Sequence, residues 1–358
     1  MDFADKPYKL MNLKDSEFST EIPTKVVGPI KINYDGKVQT VSVPVATFEI
    51  PLWSSIARGA LVSTSTDGIC VRVIDDIMSR SVILEATDLT NALICKTWID
   101  DHMDPIADIV KNTSCFANLK QINVENIGKL LYVRLGITTT NASGHNMATK
   151  AADAVLNFII SSCKHVKYVS ISGNYCTDKK VSSVNGILGR GKRVSAEIIV
   201  PYAVCGSILK TIPEKIVELN TKKNLLGSIL SGGVRSANAH FANVALAIYL
   251  ATGQDAANVV EASQGITFAN LLGKDLYFSV NMPNIIVGTV GNGKNLDFAV
   301  KNLEFLECHS SVPGSAKRLA AIIASATLCA ELSLMAAITN QGELMRSHLK
   351  LERNSKCK

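Results

Sequence analysis

The sequence has no CxxC pair, no basic tract interleaved with aromatic residues, and no charge-free apolar stretch near its start. Each absence argues against a class of protein. Nine cysteines at irregular spacing make neither a zinc site nor a disulfide framework, and an odd count points to a reducing cytosol. No metal is therefore expected. A formal net charge of +6 without a basic-aromatic tract argues against nucleic acid, and an anionic small ligand suits the surplus equally well. The start, MDFADKPYKLMNLKDSEF, is charged from its second residue, so a cytoplasmic protein without a leader is expected. One segment, LAAIIASATLCAELSLMAAI (319–338), approaches the length of a membrane span. Glu331 lies inside it among many alanines and serines, which fits a buried helix with close neighbours and no membrane.

Two further signatures are missing. No GxGxxG follows an early strand, so an ordinary dinucleotide fold has no support. GILGRGKR (186–193) and GTVGNGKN (288–295) fill the first seven positions of GxxxxGK[ST], but Arg193 and Asn295 stand where a Mg²⁺-ligating hydroxyl belongs. Glycine turns facing some other phosphate are the better reading.

What is present is a chain of 358 residues, 47% hydrophobic and 19% charged, enough for one large domain or two modest ones with a substantial core. Residues 1–80 read as short β-type runs broken by turns such as YDGK. SVILEA (81–86) alternates like a strand, and TDLTNALICKTWIDDHMDPIADIVKN reads as helix capped by Thr87. Strand-like runs around CFANLKQINV and GKLLYVRLGITTT follow, then a helical pattern through Ala151, Val155, Phe158 and Ile159, then KYVSIS. This β-α-β-β-α-β order predicts a ferredoxin-like unit inserted between two halves of a larger α/β domain. After residue 200 the chain reads as mostly helical.

Several polar residues sit in unusual company. ISGNYCTDKK (171–180) runs from an apolar strand straight into Asp178, Lys179 and Lys180. In NASGHNMATK (141–150), small residues and Gly144 precede a helix whose amides point over Ser143–Asn146, which is either an anion site or an ordinary helix start. Asp255 follows an almost wholly apolar helix, as a cap or as the partner of an amine. Glu49 lies in the apolar, proline-bounded VPVATFEIPLW, and His348 lies in a basic tail, where a surface histidine is the default. Two carboxylates, a lysine beside an aspartate and a late histidine form an acid/base set suited to carbonyl chemistry.

At SGNYCTDKK followed by GRGK, the chain resembles the hydroxymethylglutaryl-CoA (HMG-CoA) reductase family. VPVATFE, KKNLLGS (222–228), NAHFAN (238–243), GQDAA (253–257), MPNIIVGTVGNG and ELSLMAA (331–337), then Ser347–His348, resemble the family's segments in the family's order, from about residue 22 to 353. The resemblance implies reduction of HMG-CoA to mevalonate and CoA by two successive hydrides, without a membrane anchor. It places catalytic roles on Glu49, Lys179, Asp255 and His348. Lys179 would stabilise charge on the carbonyl oxygen, tuned by Asp255, while Glu49 protonates the alkoxide and His348 the departing thiolate. Ser55, Arg80, Ser172, Asp178, Lys180, Lys223 and Asn243 fall at positions that hold HMG and CoA. Ser114, Cys115, Phe116, Asn141, Ser143, Gly144, His145, Asn146 and Gly291 fall at positions facing the cofactor. The implied layout is α+β. A large α/β substrate domain with a central helix spans residues 1–81 and 171–340, a ferredoxin-like NAD(P)-binding domain is inserted at 82–170, and a C-terminal flap covers 341–358. The active site would form between subunits of a homo-oligomer.

The departures from the family concern the cofactor, CoA and regulation. Many members have Ser-Arg-Phe against the 2′-phosphate of NADP where this chain has Ser114-Cys115-Phe116, and Asp-Ala-Met-Gly where it has Asn141-Ala142-Ser143-Gly144. Losing the arginine removes a bidentate phosphate contact, so NADPH is expected with NADH also usable. The Glu-Asn-Val-Ile-Gly stretch before the Gly-Pro turn is not recognisable in KDSEFSTEIP. Asn354 stands opposite the serine of phosphoregulated members, so that control is expected to be absent. A catalytically weak paralogue that binds an acyl-CoA as a sensor or structural subunit is the alternative.

Overall fold

The computed structural model describes residues 20–309 and 311–352, with the backbone alone for residues 347, 348 and 350–352. Asn354 and most of KDSEFSTEIP lie outside the described residues.

The first hairpin follows from its turn. β1 (Thr24–Tyr34) and β2 (Lys37–Ala46) meet across Asp35 and Gly36, whose φ values of 50° and 79° are those of a two-residue hairpin loop. Pro51 then stands in the first turn of α1 (Ile50–Thr64), where its missing N–H costs nothing. The next strand, β3 (Ile69–Ala86), is 18 residues long and serves two sets of partners. From Cys70 to Ile77 it pairs antiparallel with β7 (Gly191–Val200), and from Met78 to Glu85 with β5 (Leu130–Thr138). SVILEA is thus the second half of one long strand.

Around the first half, the sheet runs β2-β1-β3-β7-β9-β8, with β8 (Ile266–Leu272) and β9 (Asp275–Ile285) forming a hairpin and β1 pairing parallel with β3. Around the second half, β4 (Asn118–Ile127) pairs with β5, β5 with β3, and β3 with β6 (Val166–Ser170), all antiparallel. The fold is therefore α+β with a mixed sheet. Two expectations are corrected here. The helical stretch after residue 87 is two helices, α2 (Leu89–Asp101) and α3 (Met103–Thr113), and the N-cap is Asp88, whose carboxylate accepts from Asn91 N. The region after residue 200 is less helical than expected, because β8 and β9 lie within it.

Among the described residues there are two cores. One gathers the β3–β6 face against α2, α3 and α4 (His145–Ser162). The larger one surrounds α6 (Ser315–Ile338), long and apolar enough to cross a membrane but buried inside the protein. Its small residues let α1 approach closely: a Cβ on Gly59 would lie 2.1 Å from Cys329 O. Glu331, wholly buried in α6, is solvated by the protein. It accepts from Ala239 N, from His240 N at 2.6 Å and from Thr267 Oγ1 at 2.9 Å, which fixes the entry to α5 (Phe241–Ala251).

Candidate active site

After β6 the chain turns through a loop in which Asn174, Thr177 and Lys179 take left-handed φ values of 57°, 47° and 55°. Each costs a residue with a Cβ roughly 1–2 kcal/mol, so the surroundings must over-determine the loop. They do. Thr177 N donates to Asn174 O at 3.0 Å, Asn185 Nδ2 donates to Thr177 O at 2.9 Å, and Lys179 N donates to Glu261 Oε1 at 2.5 Å. The buried Arg190 braces both flanking acids, with Nη1 3.0 Å from Glu261 Oε1 and Nη2 3.0 Å from Asp178 Oδ1.

With the backbone held, Lys179 Nζ meets Asp255 Oδ2 at 3.0 Å. Asp255 also caps a short turn, accepting from Ala257 N at 3.1 Å, so both roles weighed for it are real. The hydrogen bond to Asp255 pushes the Lys179 pKa up. Burial alone would raise Asp255, but the bonds from Lys179 and Ala257 outweigh it and hold the carboxyl below its usual range. Both groups stay charged at neutral pH. A fixed ammonium, half-open to solvent, is positioned to stabilise a developing oxyanion.

A second group lies at the start of α1. Glu49 Oε2 accepts from Asn243 Nδ2 at 2.9 Å, which joins the start of α1 to the first turn of α5. Beside them is a cavity of about 380 Å³, whose lining includes Glu49, Ser55, Arg58, His240, Asn243 and Leu344. Arg58 Nε donates to Ser333 Oγ at 2.9 Å, and its Nη1 pairs with Glu343 Oε1 at 2.8 Å. That pair ties α1 to α7 (Glu343–Glu352), the helix that carries His348. The His348 side chain lies outside the described residues. Lys179 and Asp255 do not line this cavity, and among the described residues no hydrogen bond or ion pair joins the two groups.

The residues expected at a cofactor form one surface and one cavity wall. Ala142 bridges Val290, and Thr289 N donates to Asn141 O at 2.8 Å. A Cβ on Gly288 would lie 2.5 Å from Ser143 N, so only glycine lets these loops close. Gly144 caps α4 with φ 94°, while over Gly291 a Cβ would meet nothing within 4 Å. The helix start at His145 and Asn146 beside an open glycine suits a phosphate-bearing ligand. Phe116 and Asn141 line a further cavity of about 540 Å³ with Asp76 and Lys317. Ser114 ends α3, and the Cys115 thiol is exposed.

The remaining expected residues are more scattered. Arg80 Nε donates to Ile171 O at 3.1 Å, beneath Ser172 at the loop's root, and Lys180 Nζ donates to Asp178 O at 3.0 Å. Ser55 Oγ donates to Ala330 O at 3.3 Å. Lys223, bound to Asn224 Oδ1 at 3.1 Å, joins neither group. Sequence reasoning missed Arg190, Glu261, Arg58 and Lys294. Arg190 and Lys294 lie within the two Gly-Lys stretches that failed the phosphate-loop pattern, and Arg58 follows Ser55 by three residues on one helix face. Burial pushes the Lys294 pKa down while Asp255 pulls it back up, so Lys294 lies within electrostatic reach of that carboxylate.

The family described as hydroxymethylglutaryl-coenzyme A reductase matches residues 19–353. The 3-hydroxy-3-methylglutaryl-coenzyme A reductase of Aeropyrum pernix is 40% identical over 341 residues, covering 94% of this chain and 80% of that protein. That of Methanothermobacter thermautotrophicus is 39% identical over 344 residues, covering 96% and 85%. A Phycomyces blakesleeanus protein of the same name is 40% identical over 92% of this chain, which spans 28% of it. Among solved structures, the class II 3-hydroxy-3-methylglutaryl-CoA reductase from Streptococcus pneumoniae, bound to NADPH in open conformations, matches with a TM-score of 0.72. The match covers 90% of this chain and 86% of that one at 19% identity, a likeness of fold.

Proposed function

The chain belongs to the hydroxymethylglutaryl-coenzyme A reductase family, and from that premise we propose that it reduces HMG-CoA to mevalonate and CoA with NADPH or NADH. The Lys179–Asp255 pair at 3.0 Å carries this reading, because carbonyl reduction needs a fixed cation where oxygen gains charge. The cofactor fits the loop surface at Ser143–Asn146, where the open space over Gly291 leaves room for a phosphate. When bound, the nicotinamide supplies the hydride. Lys179 Nζ holds the oxyanion of each step, and Glu49, oriented by Asn243, delivers the proton. His348 protonates the departing thiolate, a role suited to a group titrating near neutrality. Ser55, Arg80, Ser172, Asp178, Lys180, Lys223 and Asn243 hold the HMG and CoA portions of the substrate. Residues 82–170 form a ferredoxin-like cofactor domain between the two parts of the substrate domain, 1–81 and 171–340, and the flap expected at 341–358 begins with α7, residues 1–19 and 353–358 lying outside the described residues.

The site closes between two copies of the chain. Among the described residues no hydrogen bond or ion pair joins the Glu49 group to the Lys179 group, and the Glu49 half of one subunit meeting the Lys179 half of the next would complete the site. The outward face of the large sheet favours such a partner, since Ile199, Ile266 and Phe268 are exposed there. Eight of the cysteines are free thiols among the described residues, which suits the cytoplasm.

Initial rates with HMG-CoA, run in parallel with NADPH and NADH, test the activity. Oxidation of either cofactor, with mevalonate formed, is expected. Binding of HMG-CoA with no oxidation of either would overturn the enzyme reading. Mixing Lys179→Ala with Glu49→Gln subunits tests the shared site. Two inactive variants should recover about a quarter of the wild-type rate as a randomly reassorted dimer, and no recovery on exchange would sink it. His348→Gln should lose HMG-CoA reduction yet keep most mevaldehyde reduction, because only the first releases a thiolate. Equal loss of both would rule that role out.

A further inference from the structure

The resemblance gives His145 a place only at the cofactor, but its geometry points at the substrate side. His145 opens α4, and its Nε2 stands 3.7 Å from Asp178 Oδ1. That nitrogen is buried and has no hydrogen-bond partner among the described residues. The same carboxylate oxygen is 3.0 Å from Arg190 Nη2, and Arg190 reaches Lys179 through Glu261. One oxygen of Asp178 is therefore approached by a permanent cation and by an imidazole that can gain or lose its charge.

We propose that His145 is a positioning residue which sets the pH range of substrate binding through Asp178. Neutral, it leaves Asp178 to Arg190 and the substrate. Protonated, it donates Nε2–H to Asp178 Oδ1 and withdraws that carboxylate from HMG. This rests on the function proposed above.

The charged groups facing the imidazole fix the direction. Burial, Arg190 and Lys179 disfavour the imidazolium, while Asp178 and Asp255 favour it, and the net effect lowers the pKa from its ordinary 6.5. The ring is therefore neutral at pH 7 and takes its proton on the acid side. The Lys179–Asp255 pair is not titrated in that range, because its two pKa values are pushed apart. Protonation of His145 thus weakens substrate binding while the oxyanion cation stays in place.

Calorimetry on the full chain tests this by measuring affinity for HMG-CoA across pH. The wild-type Kd should rise progressively as the pH falls on the acid side of neutrality, and His145→Gln and His145→Asn should lose that rise, each changing by less than about twofold over the same range. A purely structural role would weaken binding equally at every pH. Proton NMR gives a second readout: the imidazole signal missing from His145→Gln should titrate at lower pH in Asp178→Asn, because the favouring carboxylate is gone. A Kd profile of His145→Gln parallel to wild type, or a titration unmoved by Asp178→Asn, would overturn the proposal. Neither measurement needs turnover. A chain that binds HMG-CoA with this pH dependence yet oxidises no cofactor would sink the reductase reading alone.

Discussion

Glu49 and Lys179 reach their places by opposite routes. Glu49 stands at the head of α1, a helix pressed so closely on α6 that Gly59 has no room for a side chain. Its position is set by packing between two backbones. Lys179 stands in a loop with three left-handed residues, held by Arg190, Glu261 and Asp255. Its position is set by charge and hydrogen bonds over an exposed turn. One half of the site should therefore fail when the core fails, and the other when a charge is removed from a protein that stays folded.

The largest effect that sharpens this contrast is expected from Lys179→Ala. Loss of the charged donor should add about 3–4 kcal/mol to the barrier, abolishing reduction of HMG-CoA and mevaldehyde alike while the melting temperature barely moves. Near-normal turnover in initial rates would remove Lys179 from the chemistry. Gly59→Ala should do the reverse. Forcing α1 away from Cys329 should cost about 2–3 kcal/mol of stability, read from urea melts, and activity should fall only with the folded fraction. A melt unchanged from wild type would show that the crossing tolerates a Cβ.

A smaller effect belongs to the cofactor side. On the proposed function, Cys115 offers a neutral thiol where many family members have an arginine for the 2′-phosphate, so the wild type should discriminate weakly between NADPH and NADH. Cys115→Arg should shift the ratio of efficiencies towards NADPH by about tenfold, or roughly 1.4 kcal/mol. An unmoved ratio would place the phosphate elsewhere, with Lys317 the first alternative to mutate. Least of all is expected from Glu343→Gln, which breaks the ion pair between Arg58 and α7. About 1 kcal/mol or less of local stability should be lost, seen as faster amide exchange in α7 with global melting unchanged. Faster global unfolding would mean that α7 is integral to the core.

The residues proposed for the chemistry stand out in the sequence by type. An acid in an apolar run, a lysine after a strand and an aspartate after an apolar helix are visible without a fold, and the resemblance supplied their roles. What binds them together was hidden. Arg190 looks like one more cation in a glycine-rich turn, and only the fold shows that it is buried between Asp178 and Glu261. The β8–β9 hairpin escaped notice for a different reason. β8 turns Ile266 and Phe268 outward and Thr267 and Ala269 inward, so its apolar side chains do not mark its buried face. The Asp88 cap was missed by one residue, since Thr87 is also a capping type, though a weaker one than Asp. The β-α-β-β-α-β order survived because each strand alternates or is bounded by turns. The double membership of β3 did not, since alternation says nothing about which neighbour a strand pairs with.

That double membership also constrains motion. Between Ile77 and Met78 the antiparallel partner of β3 changes from β7 to β5, yet the strand runs on unbroken. The two sheets are thus coupled like two blades on one torsion bar, with no slack linker between them at this crossing. Rotating the β3–β6 sheet against the other must twist that bar, or break ladder bonds on one side of it. A movement of this kind is elastic, springs back, and grows stiffer with angle.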